Sequence, residues 1–287
     1  MKSYKKRQNK PLYNLQKILY TILYWKDMVD WEVVTVVELT VLGNYGAYAP
    51  ANSACSGYLL DINGYQLLLE CGNGAFSKAL KYTDISKLGM VVISHLHYDH
   101  YADLYCMRQA LKYQMKEGLR TEPVILYLPE GPEHLTAEIK AWDDVFIVVD
   151  LSEAKTAVND YNLFQLAFFS VQHQLPTYGM QLYVGGEKVL TYTADTGWHP
   201  ELVTACSDSR YILAEASLKE YELEERGDVH MTARQAAALA QNSGAQNLIL
   251  THFFPEHNQH QIRREAEAYY DGKLYMSASG KKYVLQS

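Results

Sequence analysis

Residues 91–103 read Val-Val-Ile-Ser-His95-Leu-His97-Tyr-Asp99-His100-Tyr-Ala-Asp, placing imidazoles and a carboxylate directly after an apolar run of buried-strand character. Side chains two apart on an extended segment point the same way, so His95 and His97 can grip one metal ion. As the chain turns into the following helix, Asp99 and His100 can grip a second. Imidazole and carboxylate together suit Zn²⁺, Mn²⁺ or Fe²⁺ far better than Ca²⁺ or Mg²⁺. The alternative is a polar loop with chance histidines, and the density of the run at a strand end argues against it. Further positions recur where an apolar strand gives way to a loop: His173 in Phe-Ser-Val-Gln-His173, Asp195 in Thr-Tyr-Thr-Ala-Asp195-Thr-Gly, and His252 in Leu-Ile-Leu-Thr-His252. Each alone reads as an ordinary capped or solvated residue. Together they form a set of strand-end metal ligands.

Alternating strand and helix patterns must position these residues. Val36–Leu42 is a β-branched run ending at Gly43, and Gly57–Asp61 and Tyr65–Glu70 flank the hairpin signal Asn63-Gly64. Gly89–Ile93 leads into the metal loop. A helix follows on Leu104, Met107, Leu111 and Met115, closed by Gly118. Val124–Leu128 and Val145–Val149 read as strands with a helix between them near Glu133–Trp142. Phe164–Gln172 opens the second half, followed by a hairpin of Met180–Val184 and Lys188–Thr193 around Gly185-Gly186. Tyr211–Glu215 and Asn247–Thr251 are strands, and Gln259–Tyr270 is a last helix. Thr232–Ser243 is a helix with Thr232 and Gln235 spaced for a capping box and Gly244 beyond its end. With no repeat or low-complexity linker, this is one domain of two strand-rich halves, each covered by helices.

The 287 residues, 48% hydrophobic and 21% charged, have the balance of a soluble globular protein. A net charge of -7 argues against holding nucleic acid by bulk electrostatics. Cys55, Cys71, Cys106 and Cys206 form no C-x-x-C pair and read as free thiols of a reducing cytosol. Leu12 to Trp25 is apolar and tyrosine-rich after a basic start, but Asn14, Gln16 and Lys17 interrupt it. No small-residue cleavage site follows, and the stretch is too short to span a bilayer. Residues 1–33 therefore read as a leader or surface helix, with Met28 as an alternative start, before a single domain over 34–287.

The order H-x-H-x-D-H, then His, Asp and His, resembles the metallo-β-lactamase superfamily from about Val36 to Val284. The resemblance implies an α/β fold, a four-layer αβ/βα sandwich in which two mixed β-sheets are flanked by helices. It implies two divalent metal ions, Zn or alternatively Mn. His95, His97 and His173 would hold one, Asp99, His100 and His252 the other, and Asp195 would bridge them. One departure lies in Leu-Leu-Leu-Glu70-Cys71-Gly72, where the family usually has Asp as the brace of the metal loop.

Leu213-Ala214-Glu215-Ala216-Ser217 and Asp228-Val229-His230-Met231-Thr232 resemble two loops of the ribonuclease Z-like phosphodiesterases, as does His173-Gln-Leu-Pro-Thr-Tyr178-Gly179. In that branch a glutamate orients a histidine that contacts the scissile phosphate, which casts Glu215 and His230 as a catalytic pair. A nearby carboxylate keeps an imidazole protonated, ready to donate to a leaving oxygen. The alternative is that His230 merely caps the helix. A second departure is the stretch between His173 and Asp195. Ribonuclease Z proper carries a long basic arm for transfer RNA there, and this chain has an ordinary hairpin.

The expected activity is thus hydrolysis of a small phosphodiester or nucleotide by a hydroxide bridging two metals, with Asp99 orienting the water. Transfer RNA is not the expected main substrate, no membrane partner is expected, and a homodimer is left open. The competing readings are a carbonyl hydrolase acting on a lactone or thioester, and a metal-stabilised binding protein without activity. His134, His199, His257 and His260 read as solvated or supporting residues. Tyr98 and Tyr178 draw notice only because they sit inside site loops.

Overall fold

β-branched and leucine-rich runs become strands where the sequence pattern places them. In the computed structural model, which describes residues 35–286, the first half forms β1 (Val37–Gly43), β2 (Gly57–Ile62), β3 (Tyr65–Leu69), β4 (Leu88–Val92), β5 (Val124–Leu128) and β6 (Phe146–Asp150). The second half forms β7 (Asn159–Asp160), β8 (Gln165–Ser170), β9 (Tyr178–Val184), β10 (Glu187–Tyr192), β11 (Tyr211–Glu215), β12 (Asn247–Thr251), β13 (Lys273–Met276) and β14 (Lys282–Gln286). The expected leader or surface helix in 1–33 lies outside the described residues.

One sheet runs β14-β1-β2-β3-β4-β5-β6, the other β13-β12-β11-β10-β9-β8-β7. In both, an antiparallel set gives way to a parallel set, at β3/β4 in the first and at β10/β11 in the second. The β2–β3 and β9–β10 hairpins close on Asn63-Gly64 (φ 47° and 88°) and Gly185-Gly186 (φ 61° and 85°). Both pairs take the left-handed backbone that a two-residue turn needs to match strand twist.

Each sheet packs one face on helices. Leu68, Val91, Leu126, Met107, Leu111 and Ile139 share a core beneath the helices Leu104–Lys116 and Glu133–Lys140. Ile212, Leu248, Leu250, Ala236, Leu239 and Ile262 share another beneath Ala233–Asn242 and Gln259–Glu267. The other faces meet each other: the Tyr58 and Tyr192 rings lie 5.8 Å apart and those of Tyr127 and Phe168 4.9 Å. Tyr58 also joins Thr251 by a 2.6 Å hydrogen bond between the sheets. The result is the four-layer sandwich with two mixed sheets that the resemblance implies.

Helix ends follow the sequence signals. Thr232 caps Ala233–Asn242, with its side chain accepting from the Gln235 N–H and Gln235 answering to the Thr232 N–H. Gly118 and Gly244 take φ of 69° and 71° just past their helices. The last helix stops at Glu267, short of the expected Tyr270, whose hydroxyl donates instead to the Ala245 carbonyl. No helix among the described residues is long and apolar enough to cross a membrane. All four cysteines are free thiols.

Candidate metal centre

The carboxyl ends of the strands converge on one edge of the sandwich, and the expected ligands stand there. His95 and His97 follow β4, His173 follows β8, Asp195 follows β10, and His252 follows β12. Glu70, Ala194 and His252, each just past a strand, hold φ of 63°, 54° and 57°. Non-glycine residues pay on the order of 1–3 kcal/mol each for such backbone, which persists where the surroundings over-determine it.

Two close approaches fix the loops. A Cβ on Gly72 would lie 1.9 Å from the Asp99 carbonyl oxygen, so only glycine lets the β3 loop touch the metal loop. The Cys71 N–H donates to the His100 carbonyl at 2.7 Å, and the Asp103 carboxylate accepts from the Phe76 N–H at 3.0 Å. On the other side, a Cβ on Gly46 would fall 2.1 Å from the His252 ring.

His95 Nε2 and His173 Nε2 stand 3.0 and 3.1 Å from His97 Nδ1. His252 Nε2 stands 3.2 Å from each of His100 Nε2, Asp99 Oδ2 and Asp195 Oδ2. Asp195 Oδ2 is also 3.3 Å from His100 Nε2 and 3.8 Å from His95 Nε2. Within His95–His97–His173, and again within Asp99–His100–His252, the ligand atoms all lie within 4.8 Å of one another. Nitrogens about 2.0–2.1 Å from a tetrahedral ion lie about 3.3 Å apart, so these spacings suit shared ions. The buried Asp195 Oδ1 has no hydrogen-bond partner among the described residues, as expected of a carboxylate shaped to hold a cation. The donor set therefore fits divalent metal.

The nitrogen turned away from each cluster fixes the tautomer. His95 Nδ1 meets Ser94 Oγ at 3.0 Å, His173 Nδ1 donates to the Val229 carbonyl at 2.8 Å, and His252 Nδ1 meets Ser217 Oγ at 2.8 Å. His100 Nδ1 faces Glu70 Oε1 at 3.4 Å. Glu70, fully buried, also accepts from the Ser94 N–H at 3.2 Å and the Tyr192 hydroxyl at 3.1 Å. The extra methylene relative to Asp thus reaches a bracing position. Such partners set ring orientation and ligand basicity. Ser94, Ser217 and Tyr192 carry no recognisable spacing, and sequence reasoning assigned them no role.

Burial, then repulsion from His100, holds the His95 imidazole well below its ordinary value, and burial lowers His97 and His173 as well. Neutral imidazole is the form that binds metal. Burial opposes charge on both His100 and Asp195, but mutual attraction prevails. The carboxylates of Asp195, Asp99 and Glu70 raise His100 well above its usual range, and His252 and His100 hold Asp195 well below its own.

His230 Nδ1 stands 3.1 Å from both Glu215 oxygens. Glu215 is locked by the Thr196 N–H at 2.6 Å and the Ser217 hydroxyl at 2.5 Å. Burial disfavours charge on His230, yet Glu215 outweighs it and raises the imidazole to about 9. Since Thr232 supplies the helix cap, the cap reading of His230 does not hold. His230 shares a cluster with Asp195 and His252, and its ring lies 5.1 Å from that of His173.

The remaining residues fall outside the cluster. The Tyr178 hydroxyl is committed to Glu130 at 2.6 Å, whereas Tyr98 is 78% exposed beside the metal loop. His199 pairs with Glu201 at 3.0 Å and His257 with Glu222 at 3.6 Å.

Residues 65–253 match the beta-lactamase superfamily domain. The chain belongs to that superfamily. The matched span runs from β3 through His252 and holds the whole cluster. The probable metallo-hydrolase YhfI of Bacillus subtilis is 28% identical over 249 residues, covering 85% of this chain and 98% of that protein. Ribonuclease Z of Myxococcus xanthus is 24% identical over 304 residues, covering 86% and 97%. The crystal structure of Bacillus subtilis YhfI, a metallo-beta-lactamase fold protein, superposes with a TM-score of 0.80 at 24% identity, covering 86% and 99%. Human tRNase Z, short form, gives a TM-score of 0.68 at 21% identity, covering 86% and 99%. The chain is a metallo-hydrolase of the metallo-β-lactamase fold, a family that implies divalent metal ions.

Proposed function

We propose that the centre is a two-metal phosphodiesterase site for small phosphodiesters, nucleotides among them. The observation that carries this reading is the Glu215–His230 pair, which holds a protonated imidazole beside the clusters. His95 Nε2, His97 Nδ1 and His173 Nε2 would hold one ion, Asp99, His100 and His252 the other, and Asp195 both. Zinc suits the donors, with manganese as the alternative. Bound divalent ions would acidify water and offset the charge of the phosphoryl group.

The chain's own groups supply the proton transfers. Asp99, its carboxylate at the edge of the second cluster, orients attacking water and accepts its proton. His230 donates from Nε2 to the departing oxygen, while Nδ1–H stays bound to Glu215. Glu215, which holds His230, is a positioning residue. A carbonyl hydrolase would have less use for this pair, since its oxyanion needs stabilising donors more than a strong acid.

Two features favour small substrates. The residues between His173 and Asp195 form the β9–β10 hairpin, integral to the sheet. The net charge of -7 gives no bulk attraction for a polyanion. The experiment combines elemental analysis with turnover of bis-p-nitrophenyl phosphate, a lactone panel and a precursor transfer RNA. Two ions per chain, diester turnover and poor transfer-RNA cleavage are expected. Lactone turnover without diester turnover overturns the reading, and efficient transfer-RNA cleavage with little small-diester activity overturns the substrate ranking.

A further inference from the structure

The turn that delivers His230 to the site also carries an arginine with no acidic partner. Arg226 ends the short helix Leu223–Arg226, and its carbonyl accepts the N–H groups of Val229 and His230, both at 3.1 Å. The arginine and the histidine are thus the two ends of one closed turn. The turn is further seated on Gly197, where a Cβ would fall 2.5 Å from the Asp228 carbonyl. The Arg226 guanidinium lies over the Phe254 ring, with Cζ 4.7 Å from the centroid. Phe254 meets the His230 ring edge-on at 6.4 Å. Phe254 therefore contacts both the arginine and the histidine of this turn.

The acidic neighbours of this segment are engaged or exposed. Glu220 pairs with Arg234 at 2.6 Å, and Glu222 accepts from the Lys219 N–H at 2.7 Å and faces His257 at 3.6 Å. Glu224, Glu225 and Asp228 are exposed. Arg226 forms no ion pair or side-chain hydrogen bond among the described residues. A guanidinium held over an aromatic face and paired with no carboxylate keeps N–H donors free, in the planar fork that matches phosphate oxygens two at a time.

We propose that Arg226 forms a subsite for a second phosphate on the leaving-group side of the scissile diester. The inference rests on the reading of His230 as the acid for the leaving oxygen, because that reading sets the side on which Arg226 lies. The substrate class narrows accordingly to phosphodiesters whose departing group bears another phosphate, such as a phosphorylated nucleoside.

Calorimetry on the metal-loaded protein tests this with adenosine 3′,5′-bisphosphate against adenosine 3′- and 5′-monophosphates. A charge-assisted contact of this kind gives the bisphosphate roughly tenfold tighter binding than the better monophosphate. Arg226→Gln removes the guanidinium charge while keeping an unbranched polar side chain and is expected to bring that ratio close to one. Arg226→Ala provides a second variant with the same expectation. A general loss of affinity cancels in the ratio. Equal affinities in the wild-type protein, or an undiminished ratio in both variants, overturns the proposal. Failure of the phosphodiesterase reading appears separately, as absent turnover of bis-p-nitrophenyl phosphate by the wild-type protein.

Discussion

Replacing His230 with alanine separates chemistry from structure. His230 is buried, and its imidazole stands 3.1 Å from both oxygens of a buried carboxylate. As a positioned acid its loss should lower diester turnover by about 10²–10⁴-fold with metal content retained. A diester with a very good leaving group should lose less, because it needs little protonation. Glu215→Gln should lose less than His230→Ala and shift the pH profile. Stability supplies the second readout. The folded imidazole lies at about 9 against an ordinary 6.5, a difference worth ~3 kcal/mol at about 1.36 kcal/mol per pH unit. Because the folded value is raised, this stabilisation is fully present below pH 6.5 and is lost as pH rises through about 9. The melting temperature of metal-free wild-type protein should therefore fall relative to that of His230→Ala between pH 6 and 10. For a domain of this size, ~3 kcal/mol corresponds to roughly 6–12 °C. Unchanged diester turnover in His230→Ala, measured on the same preparation that shows the melting shift, would refute the catalytic role and leave the pair purely structural.

Asp99→Ala should abolish diester hydrolysis and weaken the second ion more than the first, since Asp99 Oδ2 stands 3.2 Å from His252 Nε2 and 3.6 Å from His100 Nε2. Elemental analysis with a turnover assay checks both effects, and near-normal turnover with two ions bound removes Asp99 from the mechanism. Gly46→Ala should displace the His252 ring and reduce retention of the second ion, because its Cβ would meet the ring at 2.1 Å. The accompanying overpacking should cost roughly 1–3 kcal/mol, read from chemical denaturation, and unchanged metal retention would show that the loop yields without moving His252.

The ligands were legible because imidazole and carboxylate are scarce at strand ends, and strand ends are marked by apolar runs breaking into polar loops. The hairpins were legible because Asn63-Gly64 and Gly185-Gly186 are among the few pairs that take left-handed backbone cheaply. Apart from Glu70, which its place before Cys71-Gly72 marks as a brace, the residues that orient the ligands were not legible. Ser94 and Ser217 are common side chains whose roles depend on a contact made in three dimensions, Ser217 with a ring 35 positions away. Tyr192 reaches Glu70 across 122 positions and from the opposite sheet. The edge strands also escaped pattern reading. β7 has two residues, and the core-facing positions of β14 alternate with exposed Lys282 and Val284.

The site demands of the fold what local patterns cannot encode. β14 pairs with β1, so the last strand is held against the first strand described. The Asn44 side chain donates to the Ser277 carbonyl at 2.9 Å, and the Phe253 N–H donates to the Asn44 carbonyl at the same distance. Asn44 therefore ties the residue just past β13 to the residue following His252, while Gly46 presses on the His252 ring itself. The left-handed His252 backbone is held by partners from both ends of the described chain. Its ligand position is consequently a tertiary property, although the residue itself is announced by the strand before it. Loosening the β1–β14 pairing should thus act first on the second cluster, through Asn44 and Gly46, and only later on His95, His97 and His173, which hang from β4 and β8.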